Sequence, residues 1–256
     1  MDYEERITCF IDLLGFKAAI EQTLEQLNLR TALYKVIHDL DPDRLLDFVH
    51  GEIPYVTPTE DGTVTASPVK TVWDHDHDLK QEIRRSFPLT ITQFSDSFVI
   101  SCPAYNSSSC SLLLTTIYLI NQMFFVNMGM MMRGGISKGL LIHEENGALF
   151  GPSMIEAYEL ESKSAIYPRI ILSPSANQHF SSLLSNQNFL QPIKTSFDGH
   201  AVIDLISILS WEGCNLSNRN NIEVQLKAIE KDILKNSPSA YPKIAYLLDQ
   251  WKLRTP

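Results

Sequence analysis

No Asp, Glu, Lys, Arg or His occurs from Ser97 to Met132. A gap of that length excludes an ordinary solvated segment, and its largely apolar half, Leu112 to Met132, is long enough to cross a membrane. Against a span, Asn121, Gln122 and Asn127 lie inside the run, and Arg133 opens an RGG strand signal with no basic cluster behind it. The run is better read as a helix packed on both sides, against a sheet and a second surface such as a partner subunit. Basic charge is also scarce. With 21 Lys and Arg against 30 Asp and Glu, the net charge is -9, which excludes broad, sequence-independent binding of duplex nucleic acid. A phosphate ligand must then be held locally, through metal ions. The four cysteines, Cys9, Cys102, Cys110 and Cys214, show no CxxC or metal spacing, and no charged-apolar-small leader precedes Cys9. A reducing cytoplasm is the expected home. There is no GxxxxGK loop and no GxGxxG turn, and His38, His50, His143, His179 and His200 have no nucleophile elbow near them. P-loop, dinucleotide and hydrolase-triad chemistry are therefore unsupported. What is present is 44% hydrophobic and 20% charged residues in 256, enough for a substantial core and unlike a disordered or fibrous chain.

Ile7 to Asp12 is β-rich and ends at Leu13-Leu14-Gly15-Phe16, after which Lys17 to Leu40 has the period of one amphipathic helix. Asp41 to Phe87 carries Pro42, Pro54, Pro58 and Pro68 and reads as an irregular insertion with a short helix near Leu79 to Arg85. Within it His75 and His77 alternate with Asp74, Asp76 and Asp78, a pattern better suited to a solvated acidic loop than to a metal site. Leu89 to Phe94 and Phe98 to Cys102 form a hairpin with Asp96 at its tip. Ser108 to Asn127 is the second long helix, and Arg133 to Leu141 a strand whose glycines allow backbone or ligand to approach closely. Pro152 to Ala165 follows as a helix with Met154, Ala157, Tyr158, Glu161 and Ala165 on one face, then a strand from Arg169 to Ser173. Pro174 to Pro256 shows helical periods around Ala201 to Leu209, Ile222 to Leu234 and Ala240 to Trp251.

The order over residues 6 to 141 is β-α-β-β-α-β, which predicts an α+β, ferredoxin-like sheet with a helical extension from residue 174. In that sheet the first strand lies beside the hairpin, so Asp12 and Asp96 meet at one edge. Two carboxylates there supply hard oxygen ligands for Mg²⁺ or Mn²⁺, and the backbone N–H groups of Leu13 to Phe16 can cradle phosphates.

Phe10-Ile11-Asp12-Leu13-Leu14-Gly15-Phe16, Phe94-Ser95-Asp96-Ser97 and Arg133-Gly134-Gly135-Ile136 through Gly139 resemble the metal and substrate strands of class III nucleotidyl cyclases. Phe150-Gly151-Pro152, Glu156 to Glu161 and Tyr167-Pro168-Arg169-Ile170 further resemble the bacterial pyrimidine cyclases of Pycsar antiphage systems. The similarity covers residues 6 to 173, which it marks as a catalytic domain. It implies conversion of UTP, in preference to CTP, to the 3′,5′-cyclic monophosphate plus pyrophosphate in active sites shared by a homodimer. The product would reach a separate effector in antiviral defence. Asp12, Asp96 and the Leu13 carbonyl would hold two Mn²⁺ or Mg²⁺ ions, with Leu14, Gly15, Phe16, Thr92 and Tyr158 against substrate.

Two departures from the resemblance matter. Purine-directed class III cyclases carry a Lys four residues before the second metal Asp, where this chain has Thr92. Their transition-state Asn and Arg correspond to Ile155 and Glu159. The cation must come from Arg133, Arg169 or Lys138, or the protein is a catalytically inactive, cyclase-fold dimer that senses nucleotides.

Overall fold

Residues 4 to 14 alternate between two environments, and that alternation organises the molecule. The computed structural model describes residues 2–38, 40, 56–58, 64–66, 85–184, 193–206 and 219–253. Strand β1 (Glu4–Leu14) sends Ile7, Cys9, Ile11 and Leu13 to one face, each at most 2% exposed. Arg6, Thr8, Phe10 and Asp12 take the other face. Helices α1 (Phe16–Thr23) and α2 (Leu27–His38) follow. β2 (Val56–Pro58) and β3 (Val64–Ala66) form a separate antiparallel pair. Then come β4 (Thr90–Phe94), β5 (Ser97–Pro103), α3 (Ser107–Met128) and β6 (Met131–His143). The strands lie in the order β4-β5-β1-β6, all antiparallel, which is the ferredoxin-like arrangement. The fold is α+β, with this core at its centre.

The chain continues through β7 (Leu149–Phe150), α4 (Pro152–Glu159), a π turn at Leu160–Ser164, β8 (Ile170–Leu172) and α5 (Pro174–Leu184). β9 (Ile193–Thr195), β10 (Ala201–Ile203), α6 (Arg219–Asn236) and α7 (Tyr241–Lys252) complete it. β8 joins β6 in parallel, and β10 and β9 extend the sheet beyond it.

Helix α3 lies on the face carrying Ile7 and Ile11. Asn106 caps its start by accepting from the Ser109 N–H at 2.9 Å, and Gly129 ends it at φ 63°. Leu113, Ile117, Ile120 and Phe124 are fully buried, in one cluster with Leu33 and Val36 of α2 and Phe180 of α5. Near its C-terminus, Phe125 joins Ile222 and Leu226 of α6 and Ile244, Leu247 and Trp251 of α7. A second surface against this helix is thus supplied by its own chain. It is long and apolar enough to cross a membrane, but its place is in the core.

The opposite face of the sheet is covered in part by α4. Ser153 donates to Thr8 Oγ1 at 2.8 Å, and the Ser137 hydroxyl donates to the Ser153 carbonyl at 2.6 Å. Gly135 makes the approach possible, since a Cβ there would meet the Ala157 carbonyl oxygen at 2.2 Å.

Two expectations are corrected. Lys17 to Leu40 is two helices, because the residues that suggested one apolar stripe do not share a buried face: Leu24 and Leu27 are 77% and 68% exposed. Ala201–Ile203 is a strand paired with β8, so the segment after Pro174 contributes to the sheet and is not simply helical. A three-residue apolar run has no period by which to tell the two apart. Most of the insertion, including His75, His77 and the helix expected near Leu79, lies outside the described residues, as do His50 and Cys214.

Candidate active site

Asp12 pairs across the sheet with Ser97 on β5 and with Arg133 on β6. Asp96 sits in the two-residue turn between β4 and β5, where Ser95 has φ 56°, the positive first-position angle of a II′ hairpin. The Leu13 N–H donates to the Asp96 carbonyl at 3.0 Å, tying the tip of the hairpin to β1 one residue past Asp12. The two aspartates, 84 positions apart in sequence (96 less 12), therefore occupy adjacent chain segments at one end of the sheet. Both are part-exposed.

Arg133 holds the centre of this end. Its Nε donates to Asp12 Oδ2 at 3.0 Å, and its Nη2 lies 2.7 Å from Glu161 Oε1. The Glu161 side chain is 4% exposed, and Oε1 is at ion-pair distance from Arg133 but off the hydrogen-bonding direction. Burial pushes the Glu161 carboxyl above its usual range; Arg133 opposes the shift, Asp12 adds to it and Lys243 opposes it. Glu161 reaches this position from the π turn that ends α4. It was legible in the sequence only as a charge in an otherwise apolar stripe.

The other expected residues fall in different places. Leu13 is corrected as a phosphate donor, because its N–H is committed to Asp96. Leu14 is still in β1, paired with Met131 and nearly buried. Gly15, at φ 90°, turns the chain into α1, whose first N–H groups at Phe16 and Lys17 have no intrahelical acceptor. Tyr158 is half exposed and meets the Phe10 ring edge-to-face at 5.4 Å. Arg169 is 3% exposed and spent on Asp198, Ser196 Oγ and the Ser164 carbonyl, not on Asp12. Lys138 lies five residues along β6 from Arg133, hence on the opposite face, 3.4 Å from Glu5 Oε2. Neither Arg169 nor Lys138 joins the Asp12 group. Ile155 is exposed, and Glu159 is paired with Lys163 on the surface of α4.

Thr92 stands on the same sheet face as Asp12 and bonds to His143 Nε2 at 2.8 Å. His143, the last residue of β6, also meets Ser101 Oγ through Nδ1 at 2.8 Å. Burial and then the charge of Arg6 lower its pKa to about 4. Sequence reasoning passed over this histidine because it looked only for a neighbouring nucleophile.

Among the described residues no group of three or more His, Cys, Asp or Glu comes together. The two carboxylates Asp12 and Asp96 still suit a hard divalent ion, because Mg²⁺ commonly takes one or two protein carboxylates and completes its shell with water and substrate phosphate. No family model and no curated protein matches the chain. Among solved structures it is similar to the adenylyl cyclase CyaB from P. aeruginosa, at 14% identity and TM-score 0.43 over 79% of this chain and 95% of that one. A bacterial light-regulated adenylyl cyclase gives 11% identity and TM-score 0.42 over 90% and 100%. An adenylate/guanylate cyclase/hydrolase from Silicibacter pomeroyi gives 11% and 0.39 over 79% and 96%. Likenesses this distant have no bearing on the chemistry of the chain.

Proposed function

We propose that the protein is a nucleotidyl cyclase that converts a pyrimidine nucleoside triphosphate, UTP in preference to CTP, to the 3′,5′-cyclic monophosphate and pyrophosphate. The observation that carries this reading is the Leu13 to Asp96 hydrogen bond, which holds two distant aspartates at one end of a ferredoxin-like sheet. The choice of a pyrimidine rests on the sequence resemblance and on Thr92 in place of Lys.

Asp12, Asp96 and the Leu13 carbonyl would hold Mn²⁺ or Mg²⁺, which when bound would lower the pKa of the ribose 3′-hydroxyl and neutralise charge on the pyrophosphate. The chain's own part is positioning. Arg133, already stretched between Asp12 and Glu161, offers a planar fork for which a phosphate competes with the carboxylates. The open amides at Phe16 and Lys17 suit phosphate oxygens at a helix start. The 3′-hydroxyl would give up its proton to solvent water, and its oxygen would attack the α-phosphorus in line as the bond to pyrophosphate breaks and pyrophosphate leaves, with Arg133 offsetting the charge that develops.

The active form is a homodimer in the cytoplasm, and its product is a messenger for a separate effector in antiviral defence. The test is incubation of the purified chain with Mn²⁺ and UTP, CTP, ATP or GTP singly, with products identified by mass. A cyclic pyrimidine monophosphate is expected, reduced at least about a hundredfold in Asp12→Ala and in Asp96→Ala. Product unaffected by both substitutions refutes the assignment. A second reading, a nucleotide sensor without turnover, is favoured by Ile155 and Glu159, neither of which brings a cation to the site. It predicts metal-dependent triphosphate binding with no pyrophosphate released.

A further inference from the structure

A chain of polar side chains runs under the sheet face that carries Asp12 and ends on a hydroxyl. Arg6, 7% exposed, donates from Nε to Ser101 Oγ at 2.9 Å and from Nη2 to the Ser101 carbonyl and to Thr90 Oγ1, both at 3.1 Å. Ser101, fully buried, meets His143 Nδ1, and His143, 8% exposed, meets Thr92 through Nε2. Thr92 is half-buried and marks the end of the chain nearest solvent.

The direction of the hydrogens follows from the charge at one end. Ser101 Oγ accepts from the arginine, so its own proton is free to go to His143 Nδ1. A neutral imidazole beside a fixed cation is best placed with its lone pair toward the cation and its N–H away. His143 Nε2 then donates to Thr92 Oγ1. With its oxygen accepting from the ring, the Thr92 hydroxyl proton is turned outward. The depressed pKa of His143 agrees with a neutral ring in this position.

From the strand register, Thr92 lies two strands across and two residues along from Asp12, about 12 Å away on the same face. We infer that Arg6, Ser101 and His143 fix Thr92 as a hydrogen-bond donor to the base of the bound nucleotide, so that the site takes a base presenting a carbonyl, uracil, over one presenting an amino group, cytosine. This rests on the cyclase reading of the Asp12 end. At the ring position where uracil carries an acceptor oxygen, cytosine carries an amino donor, and a donor facing a donor leaves both unpaired. His143 is a positioning residue, since it acts through Thr92.

The test measures UTP and CTP in competition on the full chain with Mn²⁺, reading the product ratio. The wild-type protein is expected to favour UTP at least about tenfold. Thr92→Val and His143→Phe are both expected to bring the ratio toward one; a merely structural role would lower both rates and leave the ratio alone. Ser101→Ala, which interrupts the chain without touching Thr92, covers the case in which His143→Phe does not fold. A wild type that prefers CTP, or a ratio unchanged in Thr92→Val, overturns the inference. If no triphosphate is turned over, the cyclase reading fails separately, and calorimetric binding of UTP and CTP takes the place of the product ratio. A UTP preference in binding that Thr92→Val removes supports the inference, and equal binding or none overturns it.

Discussion

Glu161 is a carboxylate withheld from water and set against one arginine. Because the folded chain keeps its proton to higher pH than the unfolded chain does, its contribution to stability falls as pH rises from the ordinary Glu value of 4.5 through the raised one. Glu161→Gln removes that titration, so its melting temperature is expected to gain on the wild type as pH goes from 4 to 7. Arg133→Met should act in the opposite sense and cost about 2 kcal/mol at neutral pH, because it leaves a buried carboxylate without its cation. Thermal unfolding across that pH range checks both. Asp12 and Asp96 were legible in the sequence because each follows or interrupts a β-rich run, where strand order alone fixes the meeting point. Glu161, Arg169 and Lys138 were not. Which basic residue faces Asp12 depends on strand parity and on competing carboxylates such as Asp198 and Glu5, and these come from parts of the chain with no local signature.

Between elements, the closest approach in the site is that of α4 to β6, and Gly135 is its condition. In Gly135→Ala the new methyl would also stand 2.7 Å from Leu160 Cβ, so the helix must move. A loss of about 2 to 3 kcal/mol is expected, measured by urea unfolding, and the shift should carry Glu161 away from Arg133 and lower turnover with it. The strand order of the ferredoxin-like core was readable because each element has a clean period and turn residues mark its ends. The break between α1 and α2 and the strand at Ala201–Ile203 were not. In the first, apolar residues face solvent. In the second, the pairing partner β8 lies 31 residues earlier, Ile171 against Val202, and supplies what the run itself lacks.

For the whole molecule, the exposed apolar side chains on this side of the sheet bear on assembly. Phe94 on the strand face with Thr92 is 48% exposed, and Tyr158 and Ile155 on α4, which packs over that side, are 50% and 61% exposed. With α3 already covered by its own chain, this face is where the proposed homodimer would close. Sedimentation at micromolar protein should give twice 29.0 kDa, and Phe94→Glu should give the monomer and abolish turnover; a wild-type monomer that turns over substrate would refute shared active sites. The position of β1 has a further consequence for how the molecule forms. It is an interior strand of the sheet, paired on both edges, and its partners are residues 97 to 103 and 131 to 141. Each pairing must close a loop of 85 residues or more, Asp12 with Ser97 being the nearest pair, a cost that grows slowly with loop length but is met before any contact rewards it. During synthesis, at about 5 to 20 residues per second, Ile7 to Leu14 would wait several seconds for both neighbours, an apolar strand with two bare edges. Folding speed, and the need for a chaperone to shield that strand, is therefore set by the middle of the chain more than by its beginning.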